Sequence, residues 1–574
     1  MNNLIEVSDL TYRPADLPAE QPDILQGINL TIKTGEFLAI VGENGSGKTT
    51  LLKQINGLLL PSTGQILING LDTREEADRN SILALIGMVF QNPADQIVAS
   101  TVEEDVAFGL ENANLPTEII QKRVAEQLED AGLESDAARP PHLLSGGQIQ
   151  RLAMAGVLAR SPRILLFDEP TSMLDPLARR SFLQQICHLN QQGMTVVYVT
   201  HHMEETVFAD QIVVMQAGKI ILKGAPDYVF SEKHVLDQAR LEPPETLIWA
   251  EHFKSLGWEI PKSVILPEDL LSALPEYRGT KLKSSQPTTS SIPNSLISLQ
   301  DVYYTYLAET PLEKPALKGA SMEISEKAIH GIAGGNGSGK STLLQHINGI
   351  LRPSQGRVRV DDLIVEDERT SLREIIRKVG LVFQSPETQF FETFVGDEIT
   401  YGPKQFSMDN LKERVRNAMA QVGLDFEKFK DRRLTTLSGG EKRKVAIAST
   451  LILDQDILLF DEPTAGMDPH SRDELIALFR KLNRQGKTIV IASHRLEELA
   501  AITETSSVMK SGKVIASAES AVLFSDQCLL KSAGLEAPFG AVIVQALIKK
   551  GWPLDLRDPV ISSNPGKLVE VLSK

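Results

Sequence analysis

One eight-residue pattern occurs twice in this chain, and it restricts the possible folds more than any other feature. Gly42-Glu43-Asn44-Gly45-Ser46-Gly47-Lys48-Thr49 follows an apolar run, Phe37 to Val41, and precedes a helix-like run from Thr49 to Leu60. Gly334-Gly335-Asn336-Gly337-Ser338-Gly339-Lys340-Ser341 repeats it after the apolar run Ala328 to Ala333. Each copy reads as strand, loop, helix. A loop this rich in glycine lets several backbone N–H groups converge on phosphate oxygens, and the following helix adds the positive end of its dipole. Lys48 would neutralise β/γ-phosphate charge, and the Thr49 hydroxyl would ligate Mg2+. One such match arises by chance in roughly a few per cent of chains this long; here the same context carries it twice.

The duplication runs far beyond the loops. Lys48 and Lys340 lie 292 residues apart, while Gln91 and Gln384, Ser145 and Ser438, Asp168 and Asp461, and His201 and His494 all lie 293 apart. One inserted residue in the second copy accounts for the difference. So constant a register implies two domains of one fold, and 574 residues exceed what a single core usually serves. Leu241-Glu242-Pro243-Pro244, then Gly257-Trp258, is matched by Leu535-Glu536-Ala537-Pro538, then Gly551-Trp552. Each half therefore carries a similar C-terminal appendage, either a packing lobe on its own domain or a partner-binding or regulatory element. The stretch from Tyr277 to Ser291 is polar and Ser/Thr-rich, as a flexible linker is. Such a tether holds the two halves at high mutual concentration. The expected division is 1–225 and 296–519 for the domains, 226–275 and 520–574 for the appendages, and 276–295 for the linker.

Composition limits the partners. The net charge of −16 weighs against nucleic acid and gains nothing from anionic lipid. No stretch of about 18 apolar residues is present, so no membrane span is expected. The opening Met-Asn-Asn-Leu-Ile-Glu lacks a signal-peptide pattern. Cys187 and Cys528 are the only cysteines, which excludes a disulfide scaffold or Cys-rich metal site and fits a reducing compartment.

Within each half, apolar runs of strand length alternate with helix-length segments, for example Arg163–Phe167 and Thr195–Thr200. That alternation implies a mostly parallel sheet flanked by helices. Between Gln91 and Ser145 the pattern turns helical, as in Thr117–Ala131, and reads as an inserted lobe. The run Ile164 to Phe167 ends in Asp168 and Glu169, and Ile457 to Phe460 ends in Asp461 and Glu462. At the carboxyl end of a parallel strand, the Asp would hold Mg2+ through water and the Glu would polarise an attacking water. Leu144-Ser145-Gly146-Gly147-Gln148 and Leu437-Ser438-Gly439-Gly440-Glu441 each precede a helix-like run. Ser caps such a helix start, and the glycine pair also permits close approach to a phosphate.

The order loop, Gln, Leu-Ser-Gly-Gly, Asp-Glu, His resembles the ATP-binding cassette (ABC) ATPases over about Leu4–Gly224 and Leu296–Gly512. That resemblance implies an α/β fold: two tandem P-loop NTPase domains, each with a RecA-like core, an inserted helical subdomain and a small C-terminal appendage. It implies that the two cassettes close head to tail as an intramolecular dimer and hydrolyse ATP to ADP and phosphate. Site one would join Gly42 to Thr49, Thr50, Gln91, Asp168, Glu169 and His201 to Ser438, Gly439 and Gly440. Site two would join Gly334 to Ser341, Thr342, Gln384, Asp461, Glu462 and His494 to Ser145, Gly146 and Gly147. Mg2+ would be held by Thr49, Gln91 and Asp168, and by Ser341, Gln384 and Asp461. Glu169, His201 and Gln91, with Glu462, His494 and Gln384, would be catalytic, the histidines contacting the γ-phosphate. Asp175 and Asp468 match the loop through which the sites sense each other. Tyr306 fits the aromatic that stacks on adenine; its ungapped counterpart is Pro14, with Tyr12 two positions away. Neither half lacks its Glu or His, so two hydrolytic sites are expected.

The segments after each Gln, Val89 to Gln96 with Thr101 to Gly109, and Val382 to Gln389 with Asp397-Glu398, look like the ATPases of energy-coupling factor (ECF) importers. That likeness implies an energy-coupling subunit driving uptake of a vitamin or transition-metal ion. The implied partners are a transmembrane coupling protein and a substrate-capturing membrane protein, with peripheral attachment at the cytoplasmic side of the cell membrane. Glu103, Glu104, Asp105, Asp397 and Glu398 would either dock basic helices of the partner or simply begin solvated acidic helices. The alternative is a tandem ABC ATPase outside transport, such as a ribosome-associated translation factor; the short Ser/Thr-rich linker lacks the basic helical character that role needs.

Overall fold

The computed structural model describes residues 3–15, 22–172, 174, 176–261, 264–277, 295–310, 313–465, 467, 469–555 and 565–573. Asp175, Asp468 and most of the expected linker lie outside the described residues. The chain divides into two compact units, Met1–Leu174 with Ala178–Ala250 and Pro261–Leu270, and Asp175–Leu177 with Glu251–Ile260 and Leu271–Lys574.

In the first unit a six-stranded sheet runs in the order Lys219–Gly224, Gln211–Gln216, Phe37–Gly42, Thr195–Val199, Ile164–Asp168, Ile86–Val89. The inner pairs are parallel and the outermost strand, Lys219–Gly224, is antiparallel. Phe37–Gly42, Ile164–Asp168 and Thr195–Val199 are buried at every residue, which is why they read as unbroken apolar runs rather than alternating ones. A second, antiparallel sheet has the order Leu25–Lys33, Asn3–Tyr12, Thr63–Ile68, Leu71–Asp72. Residues in Leu25–Lys33 alternate between buried and exposed, so this sheet wets one face.

The second unit repeats both sheets. Its parallel core is ordered Val379–Val382, Ile457–Asp461, Thr488–Ser493, Ile329–Gly334, Thr505–Lys510, with Lys513–Glu519 antiparallel at the edge. The phosphate-loop helices run Lys48–Ile55 and Lys340–Ile347. The first is shorter than the apolar run to Leu60 suggests. Asn56 caps it and Gly57 turns left-handed at φ 70°, leaving Leu58 and Leu60 in solvent.

A helical lobe interrupts each core. In the first unit it comprises Val102–Asn112, Thr117–Ala131 and Gly146–Ala159, packed through Val102, Val106, Leu110, Leu128, Leu152 and Ala155. The second unit has Val395–Gln405, Leu411–Gln421 and Gly439–Leu451. The appendages begin as short helices seated on the sheet: Val229, Phe230, Leu236 and Leu241 join the first unit's core, and Leu523, Phe524, Leu530 and Leu535 join the second's. Among the described residues, no helix is long and apolar enough to cross a membrane.

Candidate functional site

Each phosphate loop leaves the carboxyl end of a central buried strand, with the Asp-Glu strand two places along the same sheet. In open parallel sheets ligands bind at that edge. The loop's glycines answer to two different demands. A Cβ on Gly42 would meet the Met215 carbonyl oxygen at 2.3 Å, so the strand exit has no room for one. Gly47 caps the helix at φ 101°, where any side chain is strained, and a Cβ there would also press on Leu25.

Each lysine bonds back to its own loop. Lys48 Nζ donates to the carbonyls of Gly42 and Glu43 at 2.8 and 3.0 Å, and Lys340 Nζ to those of Gly334 and Gly335 at 2.7 and 3.2 Å. Burial pulls the Lys48 ammonium below the usual lysine range, against the pull of Glu169, Asp168 and Glu43. The Thr49 hydroxyl donates to Asp168 Oδ1 at 2.9 Å. Burial raises the Asp168 carboxyl, and it raises Asp461 to about 6 despite a hydrogen bond from Ser341. Asp461 Oδ1 is buried without a hydrogen-bond partner. A hydroxyl beside a carboxylate with an unused oxygen is the hard oxygen donor set that Mg2+ takes.

Glu169 and Glu462, the carboxylates expected to be catalytic, sit next door. Glu169 Oε2 lies 3.2 Å from His201 Nδ1 and accepts from Gln91 Nε2 at 3.3 Å. Glu462 lies 2.9 Å from His494 Nδ1 and 3.3 Å from Lys340 Nζ, and it accepts from the His494 backbone N–H at 3.1 Å. Burial alone would raise both carboxyls. The adjoining imidazole and lysine outweigh it, holding Glu169 below its usual range and Glu462 at about 2. In each unit the structure thus brings loop, Gln, Asp, Glu and His together.

In the second unit a cavity of about 240 Å³ is lined by Tyr306, Asn336, Lys340, Ser341, Thr342, Gln384 and Glu462 among others. The Tyr306 hydroxyl lies 3.2 Å from Thr342 Oγ1, and its ring packs edge-on against Tyr304. Strand register settles the counterpart of Tyr12. Tyr12 pairs with Leu25 as Tyr304 pairs with Leu317, so Tyr12 matches Tyr304 and cannot stand in for Tyr306.

Ser145 and Ser438 begin the helices Gly146–Ala159 and Gly439–Leu451. Each closes a capping box, Ser145 with Gln148 and Ser438 with Glu441. Nothing lies within 4 Å of a Cβ built on Gly146, Gly147, Gly439 or Gly440, so both helix starts present open backbone.

Three of the acidic positions after the Gln loops bond within their own unit. Asp105 Oδ1 accepts from the Val98 and Ala99 N–H groups at 2.9 and 3.1 Å, and Glu104 completes a capping box with Thr101. Glu398, only 4% exposed, accepts from Phe391 and Glu392 N–H, both at 2.9 Å. What these carboxylates hold out is apolar. Phe391 is 76% exposed and stacks on Tyr401 at 5.4 Å; Val98 and Phe108 are exposed at the matching places in the first unit. Sequence reading weighed the charges here and overlooked these side chains, whose signal was an apolar residue at the same offset in both copies.

Comparison with known proteins agrees with this geometry. The family model described as ABC transporter matches residues 25–172 and 317–465. A "Putative ABC transporter ATP-binding protein" of Methanosarcina mazei is 32% identical over 568 residues, covering 96% of this chain and 94% of that one. A protein of the same description from Caldanaerobacter subterraneus subsp. tengcongensis is 33% identical, covering 89% of this chain and 90% of that one. The energy-coupling factor transporter ATP-binding protein EcfA1 of Symbiobacterium thermophilum is 50% identical over 251 residues, covering 44% of this chain and 88% of that one. Two phosphate loops, each with its Asp-Glu strand and histidine, on a chain matched nearly end to end, make this an ATP-hydrolysing member of the ABC transporter family with two tandem ABC ATPase domains.

Proposed function

We propose that the chain is the energy-coupling subunit of an ECF-type importer, driving uptake of a vitamin or transition-metal ion through separate membrane subunits. The observation that carries this reading is the 50% identity over 251 residues to an energy-coupling factor transporter ATP-binding protein. The exposed Phe391 and Tyr401, with Val98 and Phe108, support it. Exposed aromatic and aliphatic side chains beside a catalytic loop suit the apolar face of a helix from a membrane protein. In this reading the chain attaches peripherally, at the cytoplasmic side of the cell membrane, to a transmembrane coupling protein that serves a substrate-capturing one.

ATP is the substrate. The loop N–H groups and Lys48 or Lys340 bind its phosphates, and Tyr306 stacks on adenine at the second site. The open helix starts Ser438–Gly440 and Ser145–Gly147 offer backbone N–H groups to nucleotide phosphate. Glu169 and Glu462 orient and polarise the attacking water. His201 and His494 contact the γ-phosphate and fix the carboxylate beside it, and Gln91 donates to Glu169. Thr49, Asp168 and Gln91, or Ser341, Asp461 and Gln384, would hold Mg2+, which would supply charge neutralisation on the phosphates.

Detergent extraction and affinity purification of the chain, with identification of what accompanies it, tests the reading. Two membrane proteins are expected. Co-sedimentation with ribosomes, and no membrane protein, would overturn it.

A further inference from the structure

Arg443 sits on the helix Gly439–Leu451, five residues beyond its Ser438 cap, and is 7% exposed. Its Nη1 donates to the Glu462 carbonyl at 2.8 Å and its Nη2 to the Gln384 carbonyl at 2.8 Å. One guanidinium thus fastens the helix of the Leu-Ser-Gly-Gly segment to the Gln384 loop and to the turn bearing Glu462. That turn needs fastening, because Glu462 has φ 45°, in the left-handed region. A residue with a side chain is strained there, and persists only where its surroundings over-determine it. The Glu462 N–H is held by the Ala492 carbonyl at 2.9 Å, and Arg443 holds its carbonyl.

The first unit has the same turn without the same fastening. Glu169 has φ 44°, and its N–H is held by the Val199 carbonyl at 2.9 Å. The residue in register with Arg443 is Gln150, 293 positions earlier. Gln150 is 3% exposed, and its Nε2 is buried without a hydrogen-bond partner. A rigid fork of donors that spans two carbonyls is replaced by a shorter amide whose donor bonds to nothing.

We propose that Arg443 is a positioning residue for ATP hydrolysis, locking the backbones of Gln384 and Glu462 to the helix so that the second site is held more firmly than the first. Motif residues are complete in both halves, yet the two sites differ in how firmly the carboxylate is placed. The inference rests on the reading of Glu462 as the group that polarises water.

The test uses the full chain, comparing wild type, R443Q, R443K, Q150R and E462Q by steady-state ATPase and amide hydrogen exchange. R443Q, which gives the second unit the first unit's residue, is expected to lower kcat about fivefold with KM for ATP changed less than about twofold. Exchange over 382–386 and 460–465 should speed about tenfold. R443K, able to reach a carbonyl, should recover at least about half of kcat. A kcat for R443Q within about twofold of wild type, a change confined to KM, or an R443K no better than R443Q overturns the proposal. Should R443Q fail to fold, Q150R decides: slower exchange over 167–172 supports the strut, and unchanged exchange refutes it. An E462Q chain with wild-type turnover would instead refute the role of Glu462, so the two failures are told apart.

Discussion

Replacing His330 with leucine should reverse the order of stability between pH 7 and pH 4.5. His330 is buried in the central strand Ile329–Gly334, its ring nitrogens 2.9 Å from Thr505 Oγ1 and 2.9 Å from Ser507 Oγ. The first unit has Leu38 at the same strand position, for Leu38 pairs with Val197 as His330 pairs with Val490. Burial, with no charge among its causes, lowers the imidazole from 6.5 to about 4. The ring is therefore neutral in the fold at pH 7, and between those two pH values the unfolded chain binds the extra proton. Stability from this group is complete above the unfolded value and is lost as pH falls toward the folded one. At about 1.4 kcal/mol per unit, the loss reaches roughly 2.7 kcal/mol by pH 4.5. H330L breaks the two hydroxyl contacts, a pH-independent cost of about 1 to 2 kcal/mol. The wild type should lead at pH 7 and trail at pH 4.5. Urea unfolding of both chains at half-unit pH steps reads the difference directly, since all other titrating groups cancel. Parallel curves would show that the imidazole is hydrated or charged in the fold, and the reasoning would fail.

Four further outcomes follow from the same geometry. Glu169→Gln and Glu462→Gln should both cut ATP turnover, with the larger loss at Glu462, as phosphate release from the two single variants would show; equal losses would argue for equivalent sites. Tyr306→Ala should weaken nucleotide binding at the second site by about 1 to 3 kcal/mol, the worth of one base on an aromatic ring, and titration with a fluorescent ATP analogue measures it. Phe391→Asp together with Val98→Asp should abolish recovery of membrane proteins in the affinity purification while ATPase activity survives; unchanged recovery would move the docking surface elsewhere. Glu398→Ala strips an acceptor from two backbone N–H groups and should cost roughly 2 kcal/mol in urea unfolding, a buried hydrogen bond to a charged group being worth that much.

How far the sequence disclosed this depends on the range of the interaction concerned. Loop, strand and helix around Lys48 are set within about twenty neighbouring residues, so glycine spacing and apolar runs exposed them in both halves. The helix Thr117–Ala131 was legible to its last residue because Gly132 ends it in a left-handed turn at φ 60°. Residues joined only by tertiary contact were not legible. Nothing local marks Arg443 as the partner of Gln384 and Glu462, or Glu398 as a buried acceptor; on a helix surface both would be ordinary charges. The ungapped offset that sets Pro14 opposite Tyr306 also sets Tyr12 opposite Tyr304, and the pairings Tyr12–Leu25 and Tyr304–Leu317 agree with it.

Glu169 and Glu462 share one further property, the left-handed backbone at φ 44° and 45°. Glycine occupies that conformation without strain. A glycine at either position would relieve that backbone strain and, in the proposed mechanism, remove the group that polarises water. Selection for robustness and selection for work pull these two codons in opposite directions. In a fused chain, one half can follow the first pull and become a silent, sturdier scaffold for the other, without any change in the binding loop that would betray it.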